Sequence, residues 1–210
     1  MNTEIIPVGA LSTNCYIISS KENALIIDPG SSRERDIDKI LNIIENKNCA
    51  ILITHGHFDH IGGADILVQR LECPVYGSAL CAKVARDPQR NLSGMFHVPP
   101  VSLRSPVLPL ADGVSTRVLS FDIETFYTPG HSPDSCCYFI DGALYSGDTL
   151  FRLSCGNTSF NGGDAAMMSA SLQKLQTLFP DREIPVYPGH GESTSLPFEF
   201  YENPYFNFRG

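Results

Sequence analysis

The chain has 210 residues, a formal net charge of -8 and an isoelectric point near 5.1. This acidic balance argues against a nucleic-acid-binding surface, and the lack of a long apolar run predicts that no helix spans a membrane. We expect a single domain over residues 1–210, because no Pro/Gly/Ser-rich linker divides the chain. Residues 1–7 lack the basic and apolar parts of a secretion signal, which predicts a cytoplasmic protein.

The cysteines point to the same compartment. There are seven of them, an odd number, and no CxxC pair occurs. Most lie in apolar stretches, so we expect reduced core residues rather than disulfides.

The first part of the chain predicts three strands and a helix. Residues 3–8, 14–19 and 24–27 have strand-forming apolar patterns, and the turn residues Asp28-Pro29-Gly30 end the third strand. Residues 36–46 show the apolar spacing of an amphipathic helix. Asp28 has two interpretations: it is a turn former, or its carboxylate holds the free ring N–H of a metal-bound histidine.

The stretch Thr54-His55-Gly56-His57-Phe58-Asp59-His60 carries the strongest chemical signal. It follows an apolar run at residues 49–53 that predicts a strand buried on both faces, and open α/β sheets place binding crevices at such strand ends. His55 and His57 are two residues apart and can face one ion, whereas Asp59 and His60 lie where a helix must begin and suit a second ion. Imidazole together with carboxylate favours zinc, iron, manganese or cobalt.

A long aperiodic stretch separates this motif from the rest of the chain. Residues 64–86 predict two helices flanking a short strand, but residues 87–106 contain four prolines and show no periodicity. Loops of this length are usually functional or mobile. Met95 and Phe96 either anchor the loop or line a substrate cleft, and we expect the latter. His97 is interpreted as a loop histidine rather than a ligand.

Three further strand ends carry ligand-type residues. The remaining predicted elements are strands within residues 107–127, 136–145 and 184–187, with a hairpin turn at Asp112-Gly113, and a helix over residues 164–179. His131, Asp148 and His190 each follow one of these strands closely. Alone each is a weak signal, but together they complete the ligand count for two metals. A chance polar turn at residues 54–60 is disfavoured because five of the six histidines have such contexts.

This pattern resembles a known superfamily. His55-x-His57-x-Asp59-His60, followed by His131, Asp148 and His190, is similar to the ligand pattern of metallo-β-lactamase superfamily hydrolases. The flanks Thr128-Pro129-Gly130-His131-Ser132-Pro133, Gly147-Asp148-Thr149-Leu150-Phe151 and Pro188-Gly189-His190-Gly191 resemble those of the glyoxalase II-like (hydroxyacylglutathione) hydrolases. The resemblance extends from about Asn14 to Pro204. It implies an α/β fold, an αββα four-layer sandwich of two mixed β-sheets with helices on the outer faces.

The resemblance also implies roles for the ligand residues. One metal is expected at His55, His57 and His131, the other at Asp59, His60 and His190, and Asp148 is expected to bridge both. Asp59 and Asp148 are also our candidate catalytic residues. The implied cofactors are two divalent transition metals, zinc before iron or manganese, which generate a hydroxide nucleophile near neutral pH. Asp148 argues against the β-lactamase branch that has a cysteine ligand at this point.

The implied substrate is a small-molecule thioester, S-acylglutathione or a related compound. The chain departs from long glyoxalase II enzymes, which carry a lysine and a tyrosine where Asn157 and Ser159 stand here. It also ends soon after Pro204, without their extra helical domain. We therefore expect thioester hydrolysis with weak selection for glutathione. Arg152 and Arg209 could bind an acidic leaving group, but we interpret both as surface charges.

Other functions remain open at this point. A persulfide dioxygenase shares much of the ligand set but uses a single iron, and a lactonase shares the two-metal site. A nuclease of the same superfamily is disfavoured by the acidic charge. A non-enzymatic binding module is the least consistent reading, because it has no use for a full ligand set.

Overall fold

The computed structural model describes residues 1–96, 98–180 and 182–206, and its centre is a pair of six-stranded β-sheets. The first sheet contains, in spatial order, β1 (Asn2–Val8), β2 (Thr13–Ser19), β3 (Asn23–Ile27), β4 (Asn48–Leu52), β5 (Val75–Gly77) and β6 (Val107–Pro109). Strands β1 to β3 pair antiparallel, whereas β3 to β6 pair parallel. Parallel neighbours need long crossover connections.

Helices supply these crossovers. They are α1 (Glu34–Ile44) between β3 and β4, α2 (Phe58–Ile61) and α3 (Ala64–Leu71) between β4 and β5, and α4 (Cys81–Ala85) after β5. Helix α1 buries Ile37, Ile40 and Ile44. These residues recur every three or four positions, so they form the single apolar face that holds the helix on the sheet.

The second half of the chain builds the other sheet. Its elements are β7 (Val114–Val118), β8 (Phe121–Tyr127), β9 (Cys136–Ile140), β10 (Ala143–Gly147), β11 (Leu150–Phe151), β12 (Ser154–Cys155), α5 (Ala165–Leu178), β13 (Pro185–Pro188), β14 (Thr194–Ser195) and α6 (Leu196–Glu202). The sheet has the order β14-β13-β10-β9-β8-β7, and β11 pairs separately with β12. Strands β10 and β13 are parallel, and the other pairs in this sheet are antiparallel.

Neighbouring residues of one strand pack into different layers, because successive side chains point to opposite faces of a sheet. In β2, Ile17 belongs to the core beneath α1, and Tyr16 belongs to the core between the sheets. In β9, Tyr138 packs between the sheets, and Cys137 packs with Leu172 of α5. The αββα sandwich with two mixed sheets is therefore confirmed.

Strand direction brings several carboxyl ends to one edge of the sandwich. Strands β3 and β4 run parallel in the first sheet, and β8, β10 and β13 share a direction in the second. Backbone hydrogen bonds join the sheets at this edge, from the Cys136 amide to the Thr54 carbonyl (2.9 Å) and from the Asn14 amide to the Gly189 carbonyl (2.8 Å). The segments that follow these five strands therefore lie beside one another.

Some local predictions were wrong. Asp112-Gly113 does not form a hairpin, because β6 pairs with β5 in the first sheet and β7 pairs with β8 in the second. The turn instead carries the chain from one sheet to the other. The β11–β12 pair was not predicted, since two-residue strands carry no periodic signal. Helix α6 was not predicted either.

Among the described residues, no helix combines the length and apolar character needed to cross a lipid bilayer.

Candidate metal centre

All seven residues predicted as metal ligands lie at the edge where the five strand ends meet. Four of them, His55, His57, Asp59 and His60, follow β4. His131 follows β8, Asp148 follows β10, and His190 follows β13. Their side chains form overlapping groups whose ligand atoms lie within 4.8 Å of one another. The sixth histidine, His97, lies outside the described residues, as does Arg209.

The first group consists of three buried histidines. His57 Nδ1 lies 3.1 Å from His55 Nε2 and 2.9 Å from His131 Nε2. Nitrogen ligands about 2.0–2.1 Å from a tetrahedral ion lie about 3.3 Å apart. The convergence of three imidazole nitrogens at nearly this spacing is the arrangement that one transition metal requires.

The second group combines one carboxylate with two histidines. Asp59 Oδ2 lies 3.2 Å from His190 Nε2 and 3.7 Å from His60 Nε2. Thr13 donates a hydrogen bond from its hydroxyl to the same Oδ2 atom (3.3 Å), which orients the carboxylate. This group fits a second cation.

Asp148 lies between the two groups. Its Oδ2 atom is 3.4 Å from His131 Nε2 and 3.7 Å from His190 Nε2, while its Oδ1 atom is 3.4 Å from His60 Nε2. One carboxylate therefore faces ligand nitrogens of both groups, which is the position that a bridging ligand occupies.

Backbone carbonyls fix the orientation of two histidines. His131 Nδ1 lies 2.8 Å from the Asn157 carbonyl oxygen, and His190 Nδ1 lies 3.2 Å from the Leu11 carbonyl oxygen. A carbonyl oxygen only accepts hydrogen bonds, so Nδ1 carries the hydrogen in both rings. Each Nε2 atom is then a lone-pair donor directed into the centre.

A buried carboxylate does the same for His60. Asp28 Oδ2 accepts from His60 Nδ1 (2.9 Å) and from the Thr54 hydroxyl (2.6 Å), and Asp28 Oδ1 accepts from the Thr54 amide (2.8 Å). Because the Thr54 hydroxyl donates to Asp28, it accepts from His55 Nδ1 at 3.1 Å. Asp28 thus orients two ligand rings, and its φ of 51° shows that it is a turn residue as well.

Buried polar atoms that lack a hydrogen-bond partner indicate that this group of ligand side chains is suited to bound cations. Among the described residues, four buried side-chain atoms have no hydrogen-bond partner: His57 Nε2, His60 Nε2, Thr125 Oγ1 and Asp148 Oδ1. Two of them, on His60 and Asp148, face each other inside the centre. Leaving a buried polar atom unpaired costs about 1–3 kcal/mol, and coordination to a metal removes that cost.

The ionisation states also favour cations. Burial and the neighbouring histidines hold the pKa of His55 and of His57 well below the usual value, so both rings present neutral lone pairs. Burial also acts to lower the pKa of His60, but the carboxylates of Asp148, Asp59 and Asp28 outweigh it and raise the pKa to about 10. The carboxylates therefore hold a positive charge at His60, and a metal ion must displace this proton.

Two glycines let the backbone approach the ligands. A Cβ atom at Gly189 would lie 2.2 Å from Asp148 Oδ1, and one at Gly156 would lie 2.0 Å from the Asp148 carbonyl oxygen. Both contacts are far shorter than any real side chain tolerates, so these positions require glycine.

Asp134 is a supporting residue that the sequence analysis missed. This buried carboxylate accepts hydrogen bonds from the Gly56 amide (2.7 Å) and the Ser132 hydroxyl (2.7 Å). It therefore ties the turn after His131 to the backbone between His55 and His57. Burial raises its pKa to about 6 in spite of these hydrogen bonds. In the sequence, Ser-Pro-Asp-Ser indicates only a turn.

A cavity of about 310 Å³ opens above the ligand groups. The aperiodic loop contributes Leu92 and Phe96 to its wall, whereas Met95 is not among the lining residues. The Phe96 ring also contacts Phe58, with ring centroids 5.7 Å apart. Of the two loop residues expected in the cleft, Phe96 is thus the one that lines it.

Comparison with known proteins agrees with this geometry. The model of the family described as the metallo-beta-lactamase superfamily matches residues 8–190. The chain belongs to the metallo-β-lactamase superfamily. It is accordingly a metal-dependent hydrolase of a superfamily that binds divalent metals.

Two curated members of the superfamily are similar over nearly their whole length. The probable metallo-hydrolase YqgX of Bacillus subtilis is 34% identical, with 96% of each chain covered. The hydroxyacylglutathione hydrolase GloC of Haemophilus influenzae is 33% identical, with 99% of each chain covered. The resemblance to glyoxalase II-like hydrolases is therefore confirmed at the level of relatives.

Two solved structures of the superfamily are also similar. BLEG-1, described as a B3 metallo-β-lactamase, has a TM-score of 0.88 at 33% identity and covers 98% of this chain and 100% of its own. TTHA1623, solved in a di-iron-bound form, has a TM-score of 0.78 at 34% identity and covers 96% of this chain and 99% of its own. The fold is therefore shared over nearly the whole length of the chain.

The contact between Asp28 and His60 leads to a direct prediction. Asp28→Asn removes the charge that orients His60, so we expect metal affinity to fall about 10- to 100-fold, the usual effect of losing such a partner. Competition with a fluorescent chelator measures this affinity. The matched control is Asp122→Asn, which changes an exposed carboxylate on β8 and should leave the affinity unchanged. Equal affinities for both variants would show that Asp28 acts only in the turn.

Proposed function

We propose that this protein hydrolyses small acyl thioesters at a centre of two divalent transition metals, with zinc preferred over iron or manganese. The observation that carries the proposal is the position of Asp148, whose two carboxylate oxygens face ligand nitrogens of both groups. When bound, two such ions make a shared water acidic enough to act as a nucleophile near neutral pH and polarise the acyl carbonyl.

The protein's own residues would hold the two ions and accept a hydrogen bond from the attacking water. His55, His57 and His131 would hold one ion, and Asp59, His60 and His190 the other, with Asp148 bridging them. Asp59 lines the cavity. In the metal-free protein the positive charge of His60 and His190 outweighs its burial and lowers its pKa, and bound cations would act in the same direction. Its ionised carboxylate can therefore accept a hydrogen bond from the attacking water as the proton leaves.

The cysteines support a mechanism without a protein nucleophile. All seven are free thiols, and no cysteine is among the lining residues of the cavity above the ligand groups. Cys155, the least buried of them, has a pKa raised to about 11 by burial. A thiol in this state is protonated at neutral pH and attacks poorly.

One-iron dioxygen chemistry is the second candidate. His55, His60 and Asp148 place ligand atoms within 4.8 Å of one another, and two histidines with one carboxylate are typical of non-haem iron oxygenases. We prefer the hydrolase because a one-iron reaction would leave four of the seven ligand residues without a function. Oxygen uptake with glutathione persulfide, dependent on iron, would identify the dioxygenase.

A lactonase is a further alternative. It would use the same two metal ions as the proposed thioesterase, and ring opening of cyclic esters would identify it.

Replacement of the bridging residue tests the proposed centre. Asp148→Ala should lower kcat/KM for thioesters at least about hundredfold, roughly 2.7 kcal/mol, while the circular dichroism spectrum stays that of the wild type. Asp141→Ala changes an exposed carboxylate in the turn between β9 and β10, and this control should remain active. An Asp148→Ala enzyme that keeps both metals and full activity would show that another group bridges them.

Selectivity for glutathione provides a separate prediction. The side-chain oxygen of Asn157 accepts a hydrogen bond from the Ser159 amide (2.8 Å). Arg152 forms an ion pair with Glu192 (2.5 Å) and lies over the Phe198 ring. No lysine or arginine is among the described residues that line the cavity. A charged hydrogen bond contributes about 1.5–3 kcal/mol, so we expect weak selection for the anionic tripeptide.

The test compares S-lactoylglutathione with the lactoyl thioester of N-acetylcysteamine, a small neutral thiol. The expected ratio of kcat/KM values lies below about a hundredfold, which corresponds to roughly 2.7 kcal/mol. A larger preference for the glutathione ester would contradict the expectation and require cationic contacts outside this cavity.

A further inference from the structure

Apolar side chains from five separate segments surround the cavity above the ligand groups. They are Leu11, Phe58, Leu92, Phe96, Phe151 and Phe160. The volume of about 310 Å³ lies at the small end of the range for ligand cavities. A group that extends from a carbonyl at the metal centre therefore meets hydrocarbon on several sides.

Phe96 is the middle member of a row of aromatic rings. Its ring centroid lies 5.7 Å from that of Phe58 and 5.7 Å from that of Phe160, and the Phe160 ring lies 6.3 Å from the His131 ring. These separations are typical of favourable aromatic pairs. Phe96 nevertheless remains 42% exposed, so part of its surface is available for a ligand to cover.

The ionisable residues that line the cavity leave the apolar wall without a charged group of its own. Its ionisable lining residues are two carboxylates and three histidines, Asp59, Asp148, His57, His131 and His190, and all five belong to the ligand groups. The guanidinium group of Arg152, next to the lining residue Phe151, is directed to Glu192 instead. A negatively charged substituent on the substrate would therefore find no lysine or arginine among the described residues of the wall.

We propose that this cavity selects thioesters carrying an uncharged apolar group, preferentially an aromatic ring, beside the scissile bond, and that Phe96 determines this selectivity. The inference rests on the proposed function, in which water adds to the acyl carbon, the C–S bond breaks, and a carboxylic acid and a thiol are released. Phe96 contacts the apolar group rather than the reacting atoms, so its loss should act on substrate binding.

Kinetics on matched thioesters test this selectivity in the metal-loaded protein. The substrates are the phenylacetyl, acetyl and succinyl esters of N-acetylcysteamine, and S-benzyl thioacetate, which carries its ring on the thiol side. We expect at least one ring-bearing ester to exceed the acetyl and succinyl esters about tenfold or more in kcat/KM. Phe96→Ala should remove that advantage mainly by raising KM, and it should affect the ring-bearing ester more than the acetyl ester.

Met95→Ala is the matched control, because Met95 is an exposed neighbour that does not line the cavity. It should retain the wild-type preference. Whichever ring-bearing ester depends on Phe96 identifies the side of the scissile bond that the cavity holds. A wild-type enzyme with no preference for either ring, or a Phe96→Ala enzyme that loses the same factor on every ester, would overturn the proposal.

A binding measurement separates this inference from the proposed function. Calorimetry should show that phenylacetate binds the metal-loaded wild type and Met95→Ala at least about tenfold more tightly than acetate, and that Phe96→Ala abolishes the difference. Equal affinities in the wild type would overturn the selectivity. Selective binding without turnover of any thioester would instead refute the thioesterase function and leave the apolar selectivity of the cavity standing.

Discussion

The convergence of seven ligand side chains, five of them buried, at one edge of the sandwich is the constraint on which the rest of the structure depends. Two carboxylates and five imidazoles within this small space would remain partly unpaired, as His60 Nε2 and Asp148 Oδ1 show. Burying such groups without partners is costly. The fold offsets this cost at four of the five rings, all except His57, by binding the outward ring nitrogen to a fixed acceptor, so that the inward atoms can converge on cations.

The acceptors come from parts of the chain that the two-sheet topology brings together. Asp28 follows β3 and Asn157 follows β12, yet each binds a histidine from a different strand end. Asp134 joins two ligand-bearing turns through the Gly56 amide. Movement of one such segment would displace a histidine that faces Asp148. Because Asp148 faces both groups, ligands of both groups would be displaced. The metal centre and the alignment of the two sheets are therefore mutually dependent.

The sequence predicted which seven residues converge at this edge, because each follows an apolar strand and has a side chain suited to metals; that they bind metals stays a prediction. It could not predict the carbonyls of Asn157 and Leu11 as ring acceptors, since every residue has a carbonyl and only the fold selects one. The hairpin expected at Asp112-Gly113 was wrong for a related reason: turn chemistry predicts a turn but not which strands pair afterwards. The layered fold followed from resemblance, and the assignment of metals to ligands remains a prediction.

Anomalous X-ray diffraction from crystals of the zinc-loaded protein would show whether Asp148 bridges two ions. We expect two zinc peaks about 3.5–4 Å apart, as in other two-metal sites. One peak should lie within bonding distance of His55 Nε2, His57 Nδ1 and His131 Nε2, and Asp148 should contact both peaks. A single peak, or two peaks of which Asp148 contacts only one, would contradict the bridged centre on which the proposed hydrolysis depends.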